Sequence, residues 1–265
     1  MDLPLLRGIT ENSSNWIVTA LAAGLLGCTV PGWATDTRAE VVQGRDPAPE
    51  TTIAYKLTPT IYRTTNEPTA YDLNLRGNRG PHTAWVGYYQ RSNEFQQLRL
   101  GYDNTMELPF GRLVPSVQYA TRGFLGGSVT AEIGERNFGL LGFGRTNLKD
   151  YFNLNFDPND SVLFGAGTRA LQNTTLTIFQ IRDDRLGTGQ RVTHLTARVK
   201  PDDNTRWTVD LFHKEGRPDA IGDVVRGTGM TVTYDFDRYF VRVASDPHVN
   251  FSDNHMVRAT FGWRF

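Results

Sequence analysis

The sequence is short of the features that would place it quickly. Its 265 residues include one cysteine, Cys28, so no intrachain disulfide framework holds the fold. Lysine plus arginine and aspartate plus glutamate each number 28, a formal net charge of zero. No strong field therefore recruits nucleic acid or an acidic lipid surface. No stretch keeps a helical period over three turns, which excludes a helical bundle. Mean hydropathy is −0.41, and long apolar runs are missing from everything but the first 34 residues, which excludes a bundle of membrane helices.

That single run is Trp16 to Val30, WIVTALAAGLLGCTV, about fifteen residues where a spanning helix needs about 20. Pro31-Gly32-Trp33-Ala34 follows, with small residues suited to signal peptidase. Residues 1–34 are expected to be a cleaved export signal, although Asp2, Arg7 and Glu11 sum to a negative start where such signals favour a positive one. The alternative is a buried apolar helix. Leu25-Leu26-Gly27-Cys28 resembles the lipobox of bacterial lipoproteins, which would make Cys28 a lipidated residue; otherwise Cys28 is a passive apolar side chain of the signal. Residues 35–50, polar and Pro-containing, read as a periplasmic leader.

What is present from residue 51 onward is period-two alternation. Ile53-Tyr55-Leu57-Pro59-Ile61, Leu98-Leu100-Tyr102, Leu113-Pro115-Val117-Tyr119 and Trp207-Val209-Leu211 stand among the clearest cases. Charged residues such as Lys56, Arg99 and Asp210 lie between them, so each strand has one greasy and one charged face. Six short turns, at 78–82, 108–111, 135–137, 170–173, 201–204 and 235–238, alternate with seven connections at 64–69, 91–94, 121–127, 145–160, 183–190, 214–227 and 246–255. This predicts about fourteen strands, or twelve if the first strand or a weak one near Leu163 is misassigned. Alternating short turns and longer loops is what an antiparallel transmembrane β-barrel requires. A soluble sandwich also alternates polarity, but has no reason to alternate its connections. Tyr55, Tyr62, Tyr71, Trp85, Tyr88, Tyr89, Tyr102, Tyr119, Trp207, Tyr234, Tyr239 and Trp263 lie mostly near strand ends, where aromatic girdles belong.

The closing MVRATFGWRF sharpens this. Val257, Ala259, Phe261, Trp263 and Phe265 alternate with Arg258, Thr260, Gly262 and Arg264. This pattern resembles the final strand of Gram-negative outer-membrane barrels, whose terminal Phe and alternate apolar positions are read by the barrel-assembly machinery. The resemblance is to a porin-like class, with no named family within it. It implies an outer-membrane location, contact with outer-membrane lipid and lipopolysaccharide, and Phe261, Trp263 and Phe265 as an assembly signal. Oligomeric state does not follow from it.

If the apolar face meets lipid, the other face lines a lumen. Lys56, Arg76, Arg99, Arg198, Arg242, Arg258 and Arg264 are the cationic candidates, with Asp72, Asp103, Glu132 and Asp210 as the acidic ones. Opposed rows of charge create a transverse field in a watery pore or cross-link the interior and close it. A fourteen-stranded lumen is too wide for side chains alone to fill, which favours water. The expected function is a passive porin-like channel for small hydrophilic solutes. The alternatives are a non-conducting structural or envelope-assembly barrel and a lipid-modifying barrel enzyme.

No enzymatic site is expected. His213 is the one histidine placed where a lipid-cleaving base could act, and it reads better as an interfacial anchor; His194 faces the lumen beside Thr196, while His82, His248 and His255 lie in connections. The loop NLKDYFNLNFDPND carries oxygen donors at Asp150, Asn153, Asn155, Asp157, Asn159 and Asp160, but lacks the spacing of a calcium loop, so no metal and no cofactor are expected. It reads first as a solvated loop, and second as one that folds inward and narrows the pore. Gly142-Phe143-Gly144 and Gly165-Ala166-Gly167 open no helix, so they read as close contacts beside aromatics rather than phosphate loops.

Overall fold

The computed structural model describes residues 52–92, 95–152 and 157–265. The expected export signal and leader at 1–50, with Cys28, lie outside the described residues, as do Asn153 and Asn155. Among the described residues no helix is long and apolar enough to cross a membrane.

The chain forms one closed antiparallel sheet of fourteen strands. They are β1 (Ala54–Thr64), β2 (Ala70–Arg79), β3 (His82–Arg91), β4 (Phe95–Asn104, continued by Met106–Leu108), β5 (Gly111–Ala120), β6 (Phe124–Ile133) and β7 (Asn137–Thr146). The second half comprises β8 (Ser161–Leu171), β9 (Thr174–Asp183), β10 (Arg191–Val199), β11 (Thr205–Gly216), β12 (Val225–Phe236), β13 (Tyr239–Asp246) and β14 (Met256–Arg264). Each strand pairs with its neighbours in sequence, and β14 returns to β1.

The break in β4 has a local cause. Its register against β5 runs from Asp103↔Ser116 to Met106↔Leu113 without a shift. The gap between faces Pro115, which has no N–H to give the ladder. The two pieces are therefore one strand, and the count is fourteen rather than twelve.

The connections alternate as expected. Turns 80–81, 109–110, 134–136, 172–173, 200–204 and 237–238 lie at the end holding the start of β1 and the end of β14. Connections 65–69, 92–94, 121–123, 147–160, 184–190, 217–224 and 247–255 lie at the other. The third of these is shorter than the sequence suggests, because β6 begins at Phe124. Phe124 points inward and Leu125 outward, so the pair continues the alternation instead of ending it.

Closure joins Phe265 to Tyr55 by reciprocal backbone hydrogen bonds of 2.8 and 3.0 Å. Their rings stack at 5.6 Å. The outer face is a belt of exposed apolar side chains, with Tyr71, Leu141, Ile178 and Val243 all more than half exposed. A soluble protein does not leave so continuous an apolar surface in water. At the turn end, ring contacts run Trp207–Tyr234–Phe236–Tyr239–Phe261 across β11 to β14, a girdle segment in the expected place. Tyr62, Trp85 and Tyr89 do not belong to it. They share parity with Lys56 and Asp72 and point inward, all three buried.

Glycines on the inner face sit directly opposite large rings. Gly262 pairs with Phe240 and Gly229 with Phe212. A methyl group on Gly262 would fall 1.7 Å from the Phe240 ring. The ring lies flat over the neighbouring strand only because nothing stands there. Gly165 opposes Phe179 and Gly167 opposes Phe138 in the same way, the close contact expected of that cluster.

Candidate functional site: the barrel lumen

Strand alternation decides which side chains reach the interior. Lys56, Arg76, Arg99, Arg258, Asp72, Asp103 and Glu132 are all buried on the inner face, while Arg198, Arg242, Arg264 and Asp210 share that parity and are half-buried. Their outward neighbours are the exposed apolar residues. Charges on this wall are largely ordered by one another. Arg99 is ion-paired with Asp72 across β3. Glu132 lies between Arg112 and Arg169, each at 2.8 Å. Asp235 takes Arg206 at 3.0 Å and also Arg264.

Directly across the ring from the β14/β1 seam, the inner face of β7–β9 carries an apolar patch. Phe138, Leu140, Leu163, Phe179 and Ile181 form one buried cluster there. Period-two alternation shows that these positions face inward, but not that five apolar residues gather on three adjacent strands.

The described parts of the connection 147–160, residues 147–152 and 157–160, pack inside the barrel from Asp150 onward. The connection is rooted between β7 and β8 and anchored on both flanks. On one side, Gln97 of β4 donates from Nε2 to the Asp150 carbonyl at 2.9 Å and accepts the Phe152 N–H at 2.7 Å. Tyr151 donates to Gln118 Oε1 at 3.1 Å and packs against Phe124 at 4.3 Å. Phe152 stacks on Tyr89 at 3.4 Å and meets Tyr62 edge-on at 5.9 Å. Burial pushes the Tyr151 phenol up to about 12, with Arg99 nearby acting in the opposite direction.

On the other side, His194 of β10 sits between two carboxylates. Its Nδ1 is 2.9 Å from Asp210 and its Nε2 is 2.9 Å from Asp157 of the loop. The imidazole lies flat on Phe179 at 4.6 Å. Asp160 closes the loop by accepting from the Thr146 N–H at 3.1 Å, from Thr146 Oγ1 at 2.6 Å and from Arg185 at 2.7 Å. The described part of this loop is therefore packed, not solvated: Tyr151, Asp157, Asn159 and Asp160 are all buried. Its carboxylates face histidine, hydroxyl and guanidinium groups, and no cluster among the described residues could hold a metal ion.

A second connection helps to fill this end. In 247–255, Val249 and Phe251 join the buried cluster that holds Tyr62, Tyr89 and Phe212, with Phe152 packed against it. Lys214, ion-paired with Asp246, donates to the His248 carbonyl at 3.1 Å. His213, by contrast, is exposed on the outer face, with Nδ1 3.0 Å from Thr228 Oγ1.

The sequence identifies His194 as inward-facing but does not reveal its partner. Asp157 is 37 residues away and meets it only after β8 and β9 have run. The available signal is Tyr151-Phe152 in a loop otherwise rich in Asn and Asp, since two adjacent aromatics are poorly suited to a solvated loop.

No family model matches the sequence. No curated protein matches it either. Solved structures do. The outer-membrane protein Omp33 of Acinetobacter baumannii is 8% identical, with a TM-score of 0.52 over 80% of this chain and 97% of that one. An engineered variant of the Rh. blastica porin (8% identity, 81% and 99% covered) gives a TM-score of 0.47. Salmonella typhi OmpF in complex with daunomycin (10% identity, 81% and 97% covered) gives 0.45. Closed ring, greasy exterior, charged interior and the likeness to Omp33 together give the chain the fold of the porin-like Gram-negative outer-membrane β-barrels.

Proposed function

We propose that the protein is an integral outer-membrane barrel that passes small hydrophilic solutes passively, with no chemical step. The observation that carries this reading is the contrast between the two faces of one closed sheet. The exterior is apolar throughout the belt, and the interior presents paired and hydrogen-bonded charge. Charges of both signs along the wall of a wide barrel keep a water path polar, and fourteen strands exceed the number that side chains alone can fill. In this reading the loop 147–160 is the element that narrows the path. Phe261, Trp263 and Phe265 serve recognition by the assembly machinery, and Phe265 also completes the seam through Tyr55.

A lipid-modifying enzyme finds less support. His213 lies on the outer face, but its partner is a threonine hydroxyl rather than a serine and a carboxylate. Folded protein reconstituted into planar bilayers is expected to give stepwise conductance. Silence from a sample that migrates as a folded barrel on a gel would overturn the channel reading in favour of a structural barrel.

A further inference from the structure

We propose that the outward face of β9–β12 at the loop end is a binding site for a phosphorylated glycolipid of the outer leaflet, with a phosphate on Arg182 and Arg191 and an acyl chain in the groove below them. This rests on the outer-membrane reading above, with the loop end outermost, and not on conduction. Register sets the outward side chains in rows. Arg182, Arg191, Glu215 and Arg226 stand directly opposite one another from β9 to β12. Gln180, Thr193, His213 and Thr228 form the next row down, and Ile178, Leu195, Leu211 and Met230 the row below that. From the loop end toward the middle of the bilayer the order is therefore charge, hydrogen-bonding groups, hydrocarbon. A glycolipid has the same order, from phosphate through sugar and linking groups to acyl chain.

The top row is not balanced within itself. Glu215 is shared by Arg191 at 2.8 Å and Arg226 at 3.0 Å. Among the described residues, Arg182 meets the side-chain oxygen of Gln180 and the Phe164 ring, 5.0 Å away, and no carboxylate. All three arginines are exposed. Arg182 and Arg191 are like charges directly opposite each other, which destabilises a sheet, and charge on a lipid-facing wall has a further cost. A phosphate seated between the two guanidinium forks offsets both. The outward arginine of β7 is treated differently, for Asp184 takes Arg145 by two bonds of 2.9 and 2.7 Å. On β7 and β8 the same two upper rows are apolar, with Phe143 opposite Val162 and Leu141 opposite Phe164. The polar rows begin at β9.

Beside the polar strip the outer face is hollowed. Gly139 of β7 and Ala166 of β8 stand directly opposite each other and point outward, and Ala166 in turn opposes Ile178. Two such small residues among Ile133, Leu141, Phe164 and Ile178 leave a groove of about 730 Å³, which reaches Gln180 and Thr193. A methyl group on Gly139 would meet nothing nearer than 4.0 Å, so the space is open on the lipid side. Gln180 joins groove and charge: its amide nitrogen donates to Thr193 Oγ1 at 2.6 Å, and its oxygen accepts from Arg182. An apolar groove continuous with a pair of exposed cations fits an anionic amphiphile, and the row of amide, hydroxyl and imidazole groups between them fits its sugar.

The test is native mass spectrometry of the folded protein in detergent, titrated with bisphosphorylated lipid A, with the same glycolipid stripped of its phosphates, and with phosphatidylglycerol. The wild type should hold lipid A in preference to both of the others. Arg182→Gln combined with Arg191→Gln should weaken lipid A binding by about tenfold or more, since both charge-assisted forks are lost. Gly139→Leu with Ala166→Leu fills the groove where there is room for it, and should weaken binding by about threefold or more through the acyl chain alone. It keeps the test open should the arginine variant fail to fold. Arg63→Gln, at an exposed arginine of β1 at the same end, should leave binding unchanged. Equal binding of the phosphate-free glycolipid, or an equal loss in Arg63→Gln, would overturn the arginine site. Phosphatidylglycerol held as tightly as lipid A would overturn the glycolipid assignment. Conductance is read separately, because the site lies outside the lumen: a silent barrel that holds lipid A sinks the channel reading and leaves this site standing. Recovery of the protein without detergent would sink the outer-membrane reading on which the site rests.

Discussion

Two connections at the same end of the barrel, 147–160 and 217–224, take opposite courses. The first turns into the lumen and is held on both flanks, by Gln97 and Gln118 of the wall to one side and by His194 of the wall and Arg185 of the connection 184–190 to the other. The second stands in solvent. Ile221 is 95% exposed, and the turn is held by Asp219, which accepts from the N–H groups of Ile221 and Gly222 within its own loop. Both contain Asp and Pro, so composition alone does not separate them. The difference lies in where hydrogen-bond partners are found. The exposed loop holds its tip with its own Asp219 and is tied to the connection 184–190 through the Arg217 backbone, whereas the other leaves two carboxylates and two aromatic rings to be satisfied by the barrel and by that same neighbouring connection.

The comparison can be broken most severely at His194. In His194→Ala, Asp157 and Asp210 lose the group between them and are left facing each other. A lost hydrogen bond to a charged group is worth about 1.5–3 kcal/mol, roughly a tenfold or greater change in the fraction of time the loop is seated. Single-channel records should show longer or more frequent excursions to a higher conductance. The equivalent change at Asp219 should leave the records as they are.

Gln97→Ala acts on the other flank and should act less. It removes two neutral hydrogen bonds to the loop backbone, about 1–3 kcal/mol together. The expected result is faster hydrogen exchange at the Phe152 amide, with a smaller rise in conductance than for His194→Ala. Equal effects at the two flanks would indicate that the loop is seated as a whole rather than by two separate holds.

The gentlest perturbation is alkaline pH. Tyr151 has its folded pKa raised from 10.0 to about 12 by burial. A group whose proton is held more tightly in the folded state stabilises that state fully below the lower value, and the contribution fades as pH rises through the upper one. The seating of the loop should therefore be unchanged up to about pH 10 and weaken between about 10 and 12. Tyr151→Phe should remove this dependence, read as conductance against pH.

The sheet was legible in the sequence because a membrane barrel writes its geometry in local terms. Alternation sets the two faces, the placement of turns sets the strand count, and both can be read a few residues at a time. Even the parity of single residues follows, as with Lys56, Arg99 and Arg258 on the inner face and Phe261 and Trp263 on the outer. Tyr62, Trp85 and Tyr89 went astray where closeness to a strand end was weighed ahead of parity. The inward course of 147–160 was open as an alternative but could not be decided, because its holds join residues far apart in sequence. Gln97 to Asp150 spans 53 positions, and Asp157 to His194 spans 37. Nothing local marks Gln97 as waiting for a backbone carbonyl.

The central claim is that a water path exists and that the loop 147–160 narrows it. Single-channel conductance of a variant lacking residues 149–155 tests it most directly, beside a variant lacking residues 218–223. The account predicts a clear rise for the first and no change for the second. Unchanged conductance in the first, from a sample shown to be a folded barrel, would contradict it.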